Sequence, residues 1–334
     1  MNKDAERIPT DMGAQQTLLR FDDVSKIYRG RRTKPTVAVS QVSFSLTAGC
    51  ITALVGESGS GKTTIARLVT GIEKPTSGSI QFRSSPVESL SVRQLTQYRR
   101  HVQMIFQDPY ASLNPHNTVL YTIERPLINH KGLDRDKAKE QAQRVMEMVR
   151  LAPVDQYIDK RPHQLSGGQR QRLVIARAIA VEPDLVVADE PVSMLDVSIR
   201  ADVLHLIGDL RDRIGMSVLY ITHDLLSARV LADEILVLYR GHLVEKGPSR
   251  EVILHARHPY TKLLLESIPN PWRRFDDESQ TVPDDVSTPS SQIPLASVQG
   301  CPFYHRCGLA TDKCRTQTPE LQGEAAHQAA CFYS

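Results

Sequence analysis

Eight residues early in the chain, Gly56-Glu57-Ser58-Gly59-Ser60-Gly61-Lys62-Thr63, satisfy the pattern G-x-x-x-x-G-K-[ST] at every specified position. Gly56, Gly59 and Gly61 let the backbone close around an anion and point successive N–H groups at it. Lys62 has the reach for β- and γ-phosphates, and the Thr63 hydroxyl suits a magnesium ion. A second cluster, Asp189-Glu190, ends the apolar run Leu185-Val186-Val187-Ala188. One carboxylate at such a strand end can hold the magnesium shell and the other can polarise an attacking water. Asp189 is assigned to magnesium and Glu190 to the water. The two segments together predict a chain that binds and hydrolyses a nucleoside triphosphate.

A third cluster refines this. Ser166-Gly167-Gly168-Gln169 precedes Arg170 to Ala180, a stretch with helical periodicity, so Ser166 stands where an N-cap belongs and two glycines expose backbone N–H groups. One nucleotide already has its cradle at Gly56 to Thr64. A second phosphate-reading helix terminus is best explained by a nucleotide shared between two chains; plain capping explains the serine but neither the glycines nor the glutamine.

The far end carries different chemistry. Cys301, Cys307, Cys314 and Cys331 lie in the last 34 residues with spacing C-x5-C-x6-C-x16-C. Four thiolates can hold an iron–sulfur cluster or a tetrahedral zinc ion. The paired C-x2-4-C knuckles usual for zinc are missing, which favours iron–sulfur, while four buried small hydrophobes is the plain alternative. His305 and His327 could substitute as ligands. Cys50 stands apart and reads as packing.

Several elements must position these groups. Val42 to Leu46 alternates like a half-buried strand, and Ile51 to Val55 is a continuous apolar run suited to a buried parallel strand just before the glycine-rich loop. Ile65, Leu68, Val69 and Ile72 form a helical stripe just after it. Between about Arg99 and Leu165 the pattern reads as helical, with Ala138, Ala142, Val145 and Val149 on one face. Strands return at Leu185 to Ala188 and Val218 to Ile221, and Glu234 to Glu245 reads as a hairpin around Arg240-Gly241. The expectation is an α/β core with a helical insert.

Composition narrows the function class. The 334 residues suggest two units, and 41 basic against 38 acidic residues leave a net charge of only +3, which excludes an extreme electrostatic binder of nucleic acid. The basic stretch Arg29 to Lys34 reads as a solvated loop, so no nucleic-acid partner is expected. Mean hydropathy is −0.30, and no apolar run approaches the ~20 residues of a membrane span. The first sixteen residues lack the apolar core of a secretory leader. A cytosolic chain is expected, reaching a membrane only through a partner.

Taken in order, these motifs resemble the ATP-binding subunit of an ABC transporter over roughly residues 18–270. The resemblance implies an α/β P-loop ABC ATPase core (18–269) with a helical subdomain (about 99–165), a flexible tail (1–17), a linker (270–299) and a small cysteine-containing C-terminal extension (300–334). It also implies roles. Tyr28 stacks on adenine, with Phe21 or a core role as the alternatives, and Gly56 to Thr64, Thr64 included, is the Walker A loop. Gln107, within Ile105-Phe106-Gln107-Asp108-Pro109, is the Q-loop glutamine that touches magnesium and faces the membrane partner. Ser166, Gly168 and Gln169 belong to the signature that caps the γ-phosphate of the opposite subunit's ATP. Asp189 and Glu190 are the Walker B aspartate and the catalytic base, and His223 is the switch histidine at the γ-phosphate. Asp196, in Ser193-Met194-Leu195-Asp196, is the D-loop aspartate, with Met194 where a small residue is more usual.

The segment His258 to Leu264, then Gly300-Cys301-Pro302-Phe303 with the trailing cysteines, and also Leu113-Asn114-Pro115, look like the dipeptide/oligopeptide/nickel importer subgroup. Some members of that subgroup carry a [4Fe–4S] cluster in this extension. ATP, Mg2+ and such a cluster, favoured over zinc, are therefore the expected cofactors. The expected partners are a paralogous ATPase subunit in a heterodimer, two transmembrane permease subunits and a substrate-binding protein. The expected place is the cytoplasmic face of the inner membrane, as a peripheral subunit, and the expected work is import of peptides. Nickel, an opine-like conjugate or an oligosaccharide are alternative solutes. Two further readings compete. A soluble ABC-type ATPase acting on ribosomes or DNA would carry two cassettes or a long coiled coil, and this chain has neither. A redox-gated regulator, built on the cysteine tail, would let ATPase activity follow the state of the cluster.

Overall fold

The computed structural model describes residues 16–30, 35–267, 300–324 and 326–334. The expected tail, except for its last two residues, and the expected linker lie outside the described residues; Thr17 already begins the first strand.

Along the chain run β1 (Thr17–Tyr28), β2 (Thr36–Thr47), β3 (Ile51–Val55), α1 (Lys62–Val69), β4 (Ser77–Phe82), β5 (Ser85–Pro86), α2 (Val92–His101) and β6 (Val102–Ile105). Then come α3 (Pro109–Ser112), α4 (Val119–Lys131), α5 (Arg135–Met148), α6 (Gly167–Ile179), β7 (Leu185–Asp189), α7 (Val197–Ile214), β8 (Ser217–Thr222) and α8 (Leu225–Leu231). The chain continues with β9 (Glu234–Tyr239), β10 (His242–Pro248), α9 (Ser249–Leu254), α10 (Pro259–Glu266), α11 (Asp312–Thr316), β11 (Gln322–Glu324) and β12 (His327–Ala329). The strands form a four-stranded sheet, β2-β1-β4-β5, and an eight-stranded sheet, β11-β12-β10-β9-β3-β8-β7-β6. In the larger sheet β3 pairs in parallel with β8 and β9, and β7 with β6 and β8.

The apolar runs are continuous because this sheet is buried on both faces. Successive residues face two different cores. Ala53, Val186, Tyr220 and Val237 join the core shared with the helices α4 to α8, whereas Leu54, Val187, Leu219 and Leu236 join the core under the smaller sheet and α1. The hairpin around Arg240-Gly241 forms as expected: Tyr239 pairs with His242, and both turn residues have positive φ, 46° and 76°, the conformation that suits a two-residue hairpin loop.

One expectation needs correcting. The stretch from residue 99 is not helical throughout, because Val102–Ile105 is an edge strand of the large sheet, paired with β7. Helical packing begins beyond it, where Ala138, Ala142 and Val145 of α5 are buried in the first core as their spacing predicts.

The cysteine-bearing extension is built into this fold. Strand β12 adds to the edge of β10, with Ala329 opposite Glu245. Cys301, Phe303 and Cys314 belong to the same core as the helical region. Glu245 is fully buried. Its carboxylate accepts the backbone N–H groups of Arg257 (2.8 Å) and His258 (2.9 Å), and its Oε1 lies 2.8 Å from His327 Nε2. A buried carboxylate is tolerable only with such partners, so this cluster ties the extension to the cassette.

His258, also buried, caps α10 by accepting the Tyr260 N–H at Nδ1. Burial pushes its imidazole down from 6.5 to about 4. Between those values the unfolded chain binds the proton and the folded chain does not. The stabilisation is thus complete above about pH 6.5 and is lost as pH falls toward 4, to a limit of about 3 kcal/mol. Denaturant unfolding at about pH 7 and pH 4.5 should show a larger loss for the wild type than for His258→Asn, which keeps a capping oxygen. Equal losses would reject His258 as the group responsible.

Candidate active site

The C-terminal ends of four parallel strands deliver the chemistry, where an open α/β sheet places its ligand. Gly56 follows β3, Gln107 lies two residues past β6, Asp189 ends β7 and is followed by Glu190, and His223 follows β8. They converge on a cleft of about 670 Å3 lined by Glu57, Lys62, Thr63, Gln107, Glu190 and His223, among others.

The loop after β3 bends tightly over the sheet. A side chain at Gly56 would collide with the Leu238 carbonyl oxygen, and one at Gly61, with φ at +107°, would collide with that of Ala38. These two positions therefore admit only glycine. Lys62 opens α1 and curls back so that Nζ donates to Gly56 O (2.6 Å) and Glu57 O (2.9 Å). Burial pulls its ammonium below the usual lysine value, opposed by the carboxylates of Glu190, Asp189 and Glu57. Gly59 and Thr64 also line the cleft.

Asp189 lies beneath Thr63, buried at the end of β7. Burial raises its carboxyl, countered by a hydrogen bond to the Thr63 side chain, while Glu190 adds a further upward push. Thr63, Asp189 and Gln107 offer hydroxyl, carboxylate and amide oxygens, the donor set a magnesium ion takes. Glu190 has φ of 46°, an uncommon left-handed conformation for a residue with a side chain. Its N–H still bonds Ile221 O at 2.9 Å, so the backbone stays in register while the carboxylate turns into the cleft. Oε2 accepts Gln107 Nε2 at 3.0 Å and Oε1 lies 3.2 Å from His223 Nδ1. Gln107 and His223, far from it in sequence, hold the Glu190 carboxylate from two sides.

Other expected site residues fall elsewhere. Tyr28 ends β1 opposite Thr36, which lines the cleft, and its ring carries the Lys26 ammonium 5.2 Å from the centroid. Tyr28 thus stands beside the cleft, next to its lining residue Thr36. Ser166 caps α6: its Oγ accepts the Gln169 N–H and Gln169 Oε1 accepts the Ser166 N–H, a reciprocal capping box, so that, contrary to the expectation, capping accounts for the glutamine as well as the serine. Neither these two residues nor Gly168 lines the cleft. Asp196 caps α7 in position only, with no capping hydrogen bond from its side chain.

Some cleft residues gave no signal in the sequence. Val37 and Leu264 line it, and one apolar residue among many in a strand or helix does not announce such a place. Glu57 occupies an unspecified position of the loop pattern. Its N–H donates to Tyr260 Oη (2.9 Å) and both carboxylate oxygens accept Arg306 Nη1 (3.0 Å each).

Cys301, Cys307, Cys314 and Cys331 line one small cavity together. Burial pushes the Cys301 thiol up to about 11, and the other three thiols add to the shift. Among the described residues no group of three or more His, Cys, Asp or Glu side chains has the spacing to hold a metal ion. The four thiols are thus of the donor type for a sulfur-ligated group and share one cavity, but their spacing is not that of a formed metal site.

Among the described residues no helix is long and apolar enough to cross a membrane. Residues 39–193 match the ABC transporter family, and residues 244–314 match the oligopeptide/dipeptide transporter C-terminal region. The chain is 41% identical over 303 residues to a di/tripeptide transport ATP-binding protein, DppF, of Pseudomonas aeruginosa, covering 89% of this chain and 90% of the relative. It is 39% identical to the dipeptide transport ATP-binding protein DppF of Escherichia coli, covering 95% of each. The ATP-binding cassette MJ0796, solved as a dimer bound to ADP and Pi, superposes with a TM-score of 0.63 at 29% identity over 70% of this chain and 99% of that one. For cbiO1 of Clostridium perfringens the TM-score is 0.64 at 25% identity, over 75% of this chain and 99% of that one. With relatives this similar over nearly its whole length, the chain belongs to the ABC transporter ATP-binding proteins, in the group bearing the oligopeptide/dipeptide C-terminal region, and is an ABC-type ATPase.

Proposed function

We propose that this chain is the ATP-hydrolysing subunit of an importer for peptides of the dipeptide/oligopeptide class, peripheral to the cytoplasmic face of the inner membrane. The observation that carries the reading is Glu190, held between Gln107 and His223 at the mouth of the phosphate loop. The peptide transport named for the relatives supports the solute class.

In this reading residues 18–269 form the cassette and 300–334 the extension. Backbone N–H groups of Gly56 to Thr64 bind the phosphates, Lys62 neutralises their charge, and Tyr28 stacks on the adenine. Thr63, Asp189 and Gln107 hold Mg2+, which supplies further charge neutralisation when bound. Glu190 accepts the proton of the attacking water, and His223 and Gln107 keep its carboxylate aimed. Ser166, Gly168 and Gln169 stand away from their own cleft and serve the ATP of a paralogous subunit docked head-to-tail, with Asp196 at that interface. Two permease subunits sit against the Gln107 region, and a substrate-binding protein delivers the peptide. Cys301, Cys307, Cys314 and Cys331 would hold a [4Fe–4S] cluster, which when bound would cross-link the turns of the extension.

Glu190→Gln should lower the ATP hydrolysis rate by about 10²–10⁴-fold, the usual contribution of a general base, with ATP affinity kept within a few-fold. Wild-type turnover in that variant would reject Glu190 as the base. Vesicles containing the assembled transporter should accumulate labelled dipeptide in an ATP-dependent way; uptake of nickel or oligosaccharide alone would reassign the solute.

Protein purified without oxygen should contain near-stoichiometric iron and acid-labile sulfide, with broad visible absorption. Zinc without sulfide would mean a single-ion site, and absence of both metals would reduce the four cysteines to packing.

A further inference from the structure

Glu57 places a carboxylate in the loop that must receive a triphosphate, and like charges at such a distance repel. Both of its polar ends are held by residues beyond the cassette's catalytic motifs. Its backbone N–H donates to Tyr260 Oη from α10, and its carboxylate is bridged by Arg306 of the extension, 249 positions away. The pair is largely shielded, with side-chain exposures of 23% for Arg306 and 31% for Glu57, so it is less screened than an ordinary surface pair.

Arg306 is itself fixed. It ends a single turn, Tyr304–Arg306, between Cys301 and Cys307. Phe303, just before that turn, is buried edge-on against Tyr239 (centroids 5.2 Å) and packs on Tyr260 (5.6 Å), whose own ring lies 4.5 Å from Tyr239. The aromatic cluster thus sets Tyr260 and Arg306 on the same residue of the phosphate loop. The next residue along the chain is Cys307.

We propose that Arg306 is a positioning residue of the ATP site, which neutralises Glu57 and braces the phosphate loop from the extension. The inference rests on the reading of Gly56 to Thr64 as the ATP cradle. The cysteine-bearing extension is then part of the nucleotide site.

The full chain in its assembled transporter tests this through KM for ATP and kcat in Arg306→Ala, Arg306→Lys, Glu57→Gln and the double variant Arg306→Ala/Glu57→Gln. Thermal melting and the iron, zinc and thiol content of the extension should be followed alongside. Arg306→Ala should raise KM about tenfold with kcat changed less than about threefold, and Arg306→Lys should raise it less. Removing the Glu57 charge should recover most of the loss, so that the double variant lies within about threefold of Glu57→Gln alone. A KM within about twofold of wild type in Arg306→Ala overturns the proposal. So does a double variant as impaired as Arg306→Ala, because Arg306 would then only pin the extension in place. If Arg306→Ala does not fold, Arg306→Lys decides: a KM unchanged from wild type together with no coupling to Glu57→Gln overturns it. A wild-type chain that neither binds nor hydrolyses ATP would instead remove the ATP-site reading, and this inference with it.

Discussion

In a parallel sheet whose strands bury alternate residues against two different cores, no strand can slide by one residue without sending every side chain to the wrong core. That constraint sets the ends of β3, β6, β7 and β8 relative to one another. Val55 lies opposite Thr222, Asp189 opposite Ile221, and Ile105 opposite Ala188. The first residues past those ends, Gly56, Glu190 and His223, therefore emerge at nearly one level. The loop after β6 needs only one more step to bring Gln107 across. Positioning of the carboxylate is thus a consequence of core packing several residues away. The left-handed backbone at Glu190 supplies the final turn, redirecting the side chain into the cleft while the N–H keeps its place on Ile221.

Much of this was legible in the sequence, for a physical reason. The phosphate loop, the strand ending in Asp189-Glu190 and the cap at Ser166 are local features in which residue type and spacing within one turn determine the geometry. The hairpin at Arg240-Gly241 was legible for the same reason. Strand β6 was not: four residues, Val102-Gln103-Met104-Ile105, follow the basic end of α2 and show no alternation long enough to separate from a helix. Yet that strand carries Gln107 to the site. Strands β4 and β5 were missed similarly, because Ser77-Gly78-Ser79 and Ser85-Pro86 look like turns and become strands only by pairing with β1 and with each other. Long-range pairs such as Glu245 with His327 had no signature, since nothing local marks partners 82 positions apart.

The extension makes the point about non-local pairing most clearly. Its cysteines invite a description as an appended metal knot, yet its first turn is core. Phe303 is buried with Tyr239 and Tyr260, and β12 occupies the sheet edge that β10 would otherwise present to solvent. The buried Glu245 carboxylate raises the cost of separating the two parts. Undocking β12 would remove His327 from a charge that retains only the backbone donors of Arg257 and His258. The extension and the cassette are therefore one folding unit at this edge, whatever the sequence between them does.

The glycines at the start of α6 separate packing from function. A side chain at Gly168 would crowd Ile199 of α7 at 2.9 Å, so close helix packing alone explains that glycine. Gly167 is different: a Cβ there would meet Leu195 at 3.6 Å, an ordinary contact, and its φ is not positive. Neither sterics nor backbone strain within this chain demands glycine at 167. What glycine provides there is open approach, from outside, to the first N–H groups of a helix whose dipole favours an anion. Ser166 and Gln169 already cap one another, so the exposed terminus is held rigid rather than left to fray. Ser166 and Gly167 are exposed and outside the lining of their own phosphate cleft, so the terminus is open to an anion brought from outside, which supports the head-to-tail pairing proposed above.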